Sequence, residues 1–344
     1  MTSAAAGGTP PLAGNGAPIG LVVMNLGGPS SLDDVEPFLR RLFGDPDVIQ
    51  LGWLSFLQPL LARAIAKRRG PLSRAAYQQI GGRSPIREET TAQADAVAAE
   101  LARRGLAVKP VVAMAAWHPF AEEALGALAA QGIERAVALP LYPHESRATT
   151  GSSLNQLEHA RARQVGVGIE IAAIRRYPDA DGYVRAVVER VEEAIATLPA
   201  EHRATAPVMF SAHGLPEAYI RRGDPYLDDV RITVETVSRR LALGARARLC
   251  FQSRVGPQRW LGPTTEAVLD ELAAAGTPAV VVVPIAFTGE HIETLQEIDI
   301  LYKDRATHAG IVFFARARTV GCHPAFIAAL ADLVEATAHA RGWA

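Results

Sequence analysis

Residues 265–287 read TEAVLDELAAAGTPAVVVVPIAF, and residues 122–143 read EEALGALAAQGIERAVALPLYP. In the first stretch apolar side chains fall at helical spacing, Gly276 closes the helix, and the β-branched run at 279–284 reads as a buried strand ending in Pro. The second stretch gives the same order of helix, Gly, strand, Pro and aromatic. Two copies of one unit predict an internal duplication of an α/β half, with its seam near residues 160 to 180. Outward from this pair, short β-branched runs alternate with Ala-rich amphipathic stretches. They predict strands at 19–25, 110–114, 136–141 and 168–174, then at 207–210, 248–251, 279–284 and 310–315, with helices such as 31–42 between them. Strands alternating with helices argue for parallel sheets flanked by helices. The expectation is two α/β lobes facing each other across a cleft: 18–170, with an apolar lip at about 43–70, and 171–344. In such folds ligands sit beyond the carboxyl ends of the strands.

Composition narrows the function. The chain has 344 residues, room for two domains, and a formal net charge of -1, which gives no general field for nucleic acid. Lys occurs only at 67, 109 and 303. The two cysteines, Cys250 and Cys322, lie far apart and cannot by themselves hold an iron-sulfur cluster. Residues 1–17 have neither a basic n-region nor an apolar h-region, and read as a disordered leader. No run of eighteen apolar residues marks a membrane span, so a cytoplasmic protein is expected. There is no G-x-x-x-x-G-K-[ST], no G-x-G-x-x-G opening a helix after a strand, and no G-x-S-x-G elbow. His291-Ile292-Glu293 matches the start of a zinc-deaminase motif, but the required P-C-x-x-C is missing.

Two segments carry the chemistry. The run at 207–210 leads into Ser211-Ala212-His213-Gly214, which puts an imidazole at a strand's carboxyl end. After the strand at 279–284 come Phe287, Glu290, His291, Glu293 and Glu297. As a helix, this segment would carry Glu290, Glu293 and Glu297 on one face at i, i+3 and i+7 with no basic partner of its own. A histidine, a row of carboxylates and no nucleotide motif fit the handling of protons or a metal ion. Inserting a divalent ion into a porphyrin needs both, because two inner N–H protons must leave as the ion enters.

The chain resembles a ferrochelatase from about residue 18 to about 335. The resemblance is carried by Asn25-Leu26-Gly27-Gly28-Pro29, Ala66-Lys67-Arg68-Arg69, Tyr77 with Ile80 to Ile86, and Trp117-His118-Pro119-Phe120. It continues through Leu141-Tyr142-Pro143, Thr149 to Asn155, Phe210 to Pro216, Arg222 to Tyr226, Gln252 to Pro257, Trp260 to Pro263, and the segment from Glu290 to Glu297. The resemblance implies two Rossmann-like lobes without a nucleotide around a porphyrin cleft, and a lyase that inserts Fe(II) into protoporphyrin IX. Fe(II) would be a substrate, with no cofactor required and no iron-sulfur cluster. His213 and Glu293 take the positions assigned to proton abstraction and metal coordination, and Glu290, His291 and Glu297 the acidic row. Leu26, Arg69, Tyr77, Ser84, Trp260 and Phe287 match porphyrin-contacting positions, Arg69 and Ser84 near the propionates. Protoporphyrin is expected over coproporphyrin III, because the coproporphyrin branch commonly has Tyr where Leu26 stands. A chelatase for another tetrapyrrole is the alternative within the class, and a non-catalytic porphyrin carrier the alternative outside it.

The chain departs from the family pattern at Leu301, where another acid is common, at Ala115-Ala116 in place of Arg-Tyr, and at Leu72, where some members are basic and Arg74 is the available substitute. His144-Glu145 replaces Gln-Tyr and is expected on the surface. The apolar stretch from Val48 to Leu61, followed by Arg63, Lys67, Arg68 and Arg69, fits a lip resting on an anionic membrane. A monomer is expected rather than a homodimer.

Overall fold

All eight expected strands are present, in two parallel four-stranded sheets. A computed structural model describes residues 18–50, 52–254 and 258–344. The expected leader at 1–17, Leu51 of the apolar stretch and Val255-Gly256-Pro257 of one matched motif lie outside these residues. The first sheet holds β1 (Ile19–Asn25), β2 (Val108–Met114), β3 (Arg135–Pro140) and β4 (Glu170–Ala173), in the order β2-β1-β3-β4. The second holds β5 (Val208–His213), β6 (Ala247–Gln252), β7 (Ala279–Pro284) and β8 (Phe313–Arg316), in the order β6-β5-β7-β8. Adding four to each strand of the first sheet gives the second. The helices Ala121–Ala130 and Thr265–Ala274 precede β3 and β7, so the repeated stretches occupy matching places.

Boundaries move where a single residue decides them. β2 begins two residues before Pro110, which is tolerated because β2 is an edge strand. β8 begins only at Phe313, because Gly310 first turns the chain at a φ of +102°. β5 runs on to His213, three residues past the expected end.

Alternation along the strands divides the core. Leu21, Val23, Val137 and Leu139 face one side of the first sheet, while Val22, Met24, Ala136 and Ala138 face the helices Ala121–Ala130 and Ser152–Ala162 on the other. In the second sheet Val208, Phe210, Val281 and Val283 join the same central cluster as Leu21 and Val23, whereas Met209, Val280 and Val282 pack outward. The last helix, Pro324–Ala340, supplies Phe326, Leu330 and Val334 to that central cluster and lies against Ile86–Arg103 of the first half. Arg104 ties the two, bonding Asp332 at 2.5 Å and Glu335 at 3.2 Å. One shared core thus fixes the two sheets, and their carboxyl ends, relative to each other.

Candidate active site

The centre of the second sheet builds the site. β5 delivers His213 at its end, where Tyr226 Oη donates to the His213 carbonyl at 2.8 Å. Gly214 then passes close to β6, its N–H donating to the Gln252 carbonyl at 2.8 Å. A Cβ at 214 would sit 2.8 Å from that oxygen and 3.3 Å from the Trp260 ring, so any larger residue would push the strand end outward. Beyond β7 the chain passes Phe287, Glu290 and His291 and enters a π-helix, Glu293–Tyr302. At its end the Lys303 N–H donates to Ile298, five residues back. Such wide turns are rare and concentrate at functional sites.

The expected row of three acids is divided. Glu290 precedes the π-helix and accepts from Arg316 at 3.0 and 3.1 Å and from the Thr319 N–H at 3.1 Å. Arg316 also forks onto Asp299 at 2.7 and 2.9 Å. The basic partner missing from the segment therefore comes from β8, and Glu290 turns toward it. Glu293 and Glu297 remain, one turn apart, and face different neighbours.

Glu293 Oε2 lies 2.7 Å from His213 Nδ1 and accepts from Ser253 Oγ at 2.9 Å. Ser253 Oγ is also 2.6 Å from Glu297 Oε2, which accepts from Gln252 Nε2 at 3.2 Å. Gln252 is itself fixed, since its Oε1 accepts from the buried Ser211 hydroxyl at 2.7 Å. His291 stands behind, 3.9 Å from Glu293 Oε1, with its ring against Phe287 at 4.3 Å between centroids. The His213 side chain keeps 36% of its surface exposed, and its Nε2 makes no hydrogen bond among the described residues, so that nitrogen is open to a ligand.

Electrostatics separates the two carboxylates. Burial raises both, but the imidazole of His213, its hydrogen bond and His291 hold Glu293 down at about 2. Burial and the charge of Glu293 push Glu297 up to about 7. Burial would lower His213, yet Glu293 more than compensates and its pKa is raised; His291, lacking so close a partner, is lowered by burial. An ionised acid, an acid that protonates near neutrality and an adjacent imidazole suit a site that passes protons.

The other expected site residues spread around this centre. Tyr77 is buried, and after burial itself the charge of Glu293 is what raises its pKa. Leu26 packs on the same cluster as Tyr77 and Ile292, and Trp260 lies against the backbone of Gly214. Ser84 is buried where the chain passes Gly28, and Arg69 stacks over Phe43 at 5.7 Å; neither touches the His213–Glu293 pair. Arg74 bonds Asp33 at 3.0 Å, while Leu72 and Leu301 are exposed. His144 is not on the surface as expected. It is buried beside Tyr183 and Tyr226, bonded to Thr233 at 2.9 Å, and burial lowers its pKa to about 3, so it is a neutral packing group. Sequence reading gave no role to Ser253 and Gln252, although the sheet register sets Gln252 beside His213. The end of the neighbouring strand is where they could have been found.

A family model described as Ferrochelatase matches residues 18–338. The ferrochelatase of Geotalea daltonii is 44% identical over 315 residues, covering 92% of this chain and 96% of that protein. The ferrochelatase of Synechococcus sp. (strain RCC307) is 44% identical over 319 residues, covering 92% and 82%. Among solved structures, SirB from Bacillus subtilis with Fe3+ superposes with a TM-score of 0.52 at 18% identity, over 73% of this chain and 90% of that one, a likeness of fold.

Proposed function

The chain belongs to the ferrochelatase family, and on that premise we propose that it inserts Fe(II) into protoporphyrin IX to form protohaem, with His213 and Glu293 working on one face of the ring. As a lyase of this family it joins a metal to a tetrapyrrole: Fe(II) enters and two pyrrole protons leave. The observation that carries the residue assignment is the 2.7 Å contact between His213 Nδ1 and Glu293 at the sheet's ligand-binding edge. The carboxylate fixes the ring and stabilises the imidazolium, so that Nε2 is oriented to accept a pyrrole proton or to hold the incoming ion. Glu297 lies behind as the group to which a proton moves on. Leu26, Tyr77, Trp260 and Phe287 frame the ring with apolar surface, and Arg69 and Ser84 serve the propionates. Leu26 in place of Tyr favours protoporphyrin over coproporphyrin III.

The test is anaerobic insertion of Fe(II) into each porphyrin, followed by the Soret shift, with wild type beside His213→Ala. Protoporphyrin turnover that disappears in the variant supports the reading. Turnover of coproporphyrin alone overturns the substrate assignment, and binding of both porphyrins without turnover favours a carrier.

For the lip we propose peripheral membrane contact. Trp53 is 85% exposed, with Phe56, Leu60 and Leu72 also exposed, and Arg63, Lys67 and Arg68 lie on the exposed surface of the helix that follows. Among the described residues no helix is long and apolar enough to cross a membrane. Flotation with anionic liposomes at low salt should carry the protein upward, and Trp53→Ser should weaken that; absence of flotation overturns it. The isolated protein is expected to elute as a monomer.

A further inference from the structure

Ser253 stands where one hydroxyl must serve two carboxylates. Its Oγ is 2.9 Å from Glu293 Oε2 and 2.6 Å from Glu297 Oε2. A serine has one hydrogen to donate, so it can bond both oxygens only by donating to one and accepting from the other. With one added proton on the pair, both contacts become full hydrogen bonds, one carboxyl neutral and the other ionised. Oxygens at about 2.5–2.7 Å are typical of an O–H···O⁻ bond. This arrangement has a counterpart in which the hydroxyl has turned and the proton sits on the other carboxyl. The two differ by hydrogen positions alone, with no heavy atom displaced.

The surroundings hold Ser253 in this place. Its φ is +65°, in the left-handed region that L side chains rarely occupy. That conformation, directly after β6, turns the hydroxymethyl group back toward the π-helix. Gln252, anchored by Ser211, also donates to Glu297 and to the Glu293 carbonyl, at 3.2 and 3.4 Å, and keeps the π-helix in register with Ser253. Glu293 faces His213, while Glu297 lies a turn further along.

We infer that Ser253 is a proton relay joining Glu293 to Glu297, so that protons taken from the porphyrin leave through it. The inference rests on the ferrochelatase reading. Once His213 Nε2 has taken a pyrrole proton, its Nδ1–H bond breaks and that proton bonds to the Glu293 carboxylate; the Glu293 O–H bond then breaks as its proton bonds to Ser253 Oγ, while the serine's own hydrogen moves to a Glu297 oxygen. Glu293 returns to carboxylate, Glu297 becomes the acid, serine remains neutral, and no electrons change hands. Glu297 then releases its proton outward, and the second pyrrole proton follows the same way.

Ser253→Ala removes the hydroxyl and keeps the strained backbone; Ser253→Gly removes the hydroxyl and relieves the strain. A relay predicts that both lose insertion rate alike, by about 10–100-fold, a fraction of what proton transfer contributes to enzyme rates. Protoporphyrin binding, read by fluorescence, and KM for Fe(II) should stay near wild type. Turnover in D2O should fall further below turnover in H2O for both variants than for wild type, because proton exit has become limiting. If Ser253 merely shapes the loop, Ser253→Gly should keep wild-type turnover and the wild-type solvent isotope ratio, and that result overturns the inference. Wild-type protein that inserts no metal would instead overturn the ferrochelatase reading and would be seen before any variant is made.

Discussion

The two halves of the molecule share a frame and end it differently. β1 and β5 occupy the same place in their sheets, yet β1 ends in Asn25 and β5 in His213. Asn25 is spent on structure: its Nδ2 donates to the buried Thr90 hydroxyl at 2.9 Å, and its Oδ1 accepts from the Leu26 N–H at 2.8 Å. His213 spends only Nδ1, on Glu293, and its Nε2 makes no hydrogen bond among the described residues. The contrast extends to the turns that follow the third strand of each sheet. A π-helical segment occurs in both, Arg147–Gly151 in the first half and Glu293–Tyr302 in the second. In the first, the Ser146 hydroxyl accepts from the Ala148 N–H at 3.2 Å, and Arg147 reaches Asp47 at 3.4 Å, so its polar groups close on the protein. In the second, two carboxylates reach across to strand ends. A duplicated scaffold thus supplies two strand edges, and side chains at a handful of positions make one a closed wall and set a histidine against two carboxylates on the other.

The sharpest way to break this contrast is to give the second edge the residue of the first. On the proposed reading His213→Asn should lower insertion by about 10²–10⁴-fold with porphyrin binding retained, because it removes the proposed base and leaves the apolar wall; a loss under about tenfold in a steady-state assay would sink the division of labour. Next comes order within the second edge. Glu293→Gln should cost about a hundredfold and Glu297→Gln about tenfold, and the reverse ranking would contradict a row that starts at His213. On the first edge Asn25→Ala should leave turnover within about threefold while unfolding becomes easier by about 1–3 kcal/mol, since a buried hydroxyl loses its partner; denaturant melts beside steady-state rates separate the two effects.

The smallest effect sharpens the electrostatic part. Glu297 binds its proton more tightly folded, at about 7, than at its ordinary 4.5, so the contribution is fully present below 4.5 and is lost as pH rises through 7. Glu293 runs the other way: held at about 2, it stabilises the fold above 4.5 and loses that contribution as pH falls toward 2. Thermal melts at pH 5 and pH 8 should therefore show Glu297→Gln gaining on wild type at the higher pH by a few degrees, and Glu293→Gln melting below wild type at both. A Glu297→Gln advantage that shrinks with rising pH would reverse the assignment of the buried proton.

Much of this was legible because it is local. Val280 to Val283 between Pro278 and Pro284 fix β7 wherever the chain folds, and a repeat of that unit implies a second sheet. His213 and Glu293, 80 positions apart, came together through family resemblance rather than periodicity. What escaped reading depends on distant partners or on winding. Nothing near Glu290 announces Arg316, and with that cation unknown the three acids read as one row. Residue spacing does not encode the wide turns of the π-helix, because an α-helix would show nearly the same apolar pattern. Ser253 gives no sign that it adopts a positive φ, a conformation more often given to glycine or asparagine. His144 misled for the same reason: a polar pair after a strand suggests solvent, but here the second half covers it through Thr233 and Tyr226.

The crossing of the helix Pro324–Ala340 onto Ile86–Arg103 also sets a schedule for the nascent chain. On the ribosome the first sheet is complete once β4 has emerged; on the shared-core side Ile86–Arg103 already covers β1 and β2, yet β3 and β4 wait there for the last helix to be made. Synthesis at about 5–20 residues per second leaves that apolar face open for roughly ten to thirty seconds. During this interval the half-made enzyme is a natural client for a chaperone, and a slow codon late in its message would lengthen the exposure more than one early on.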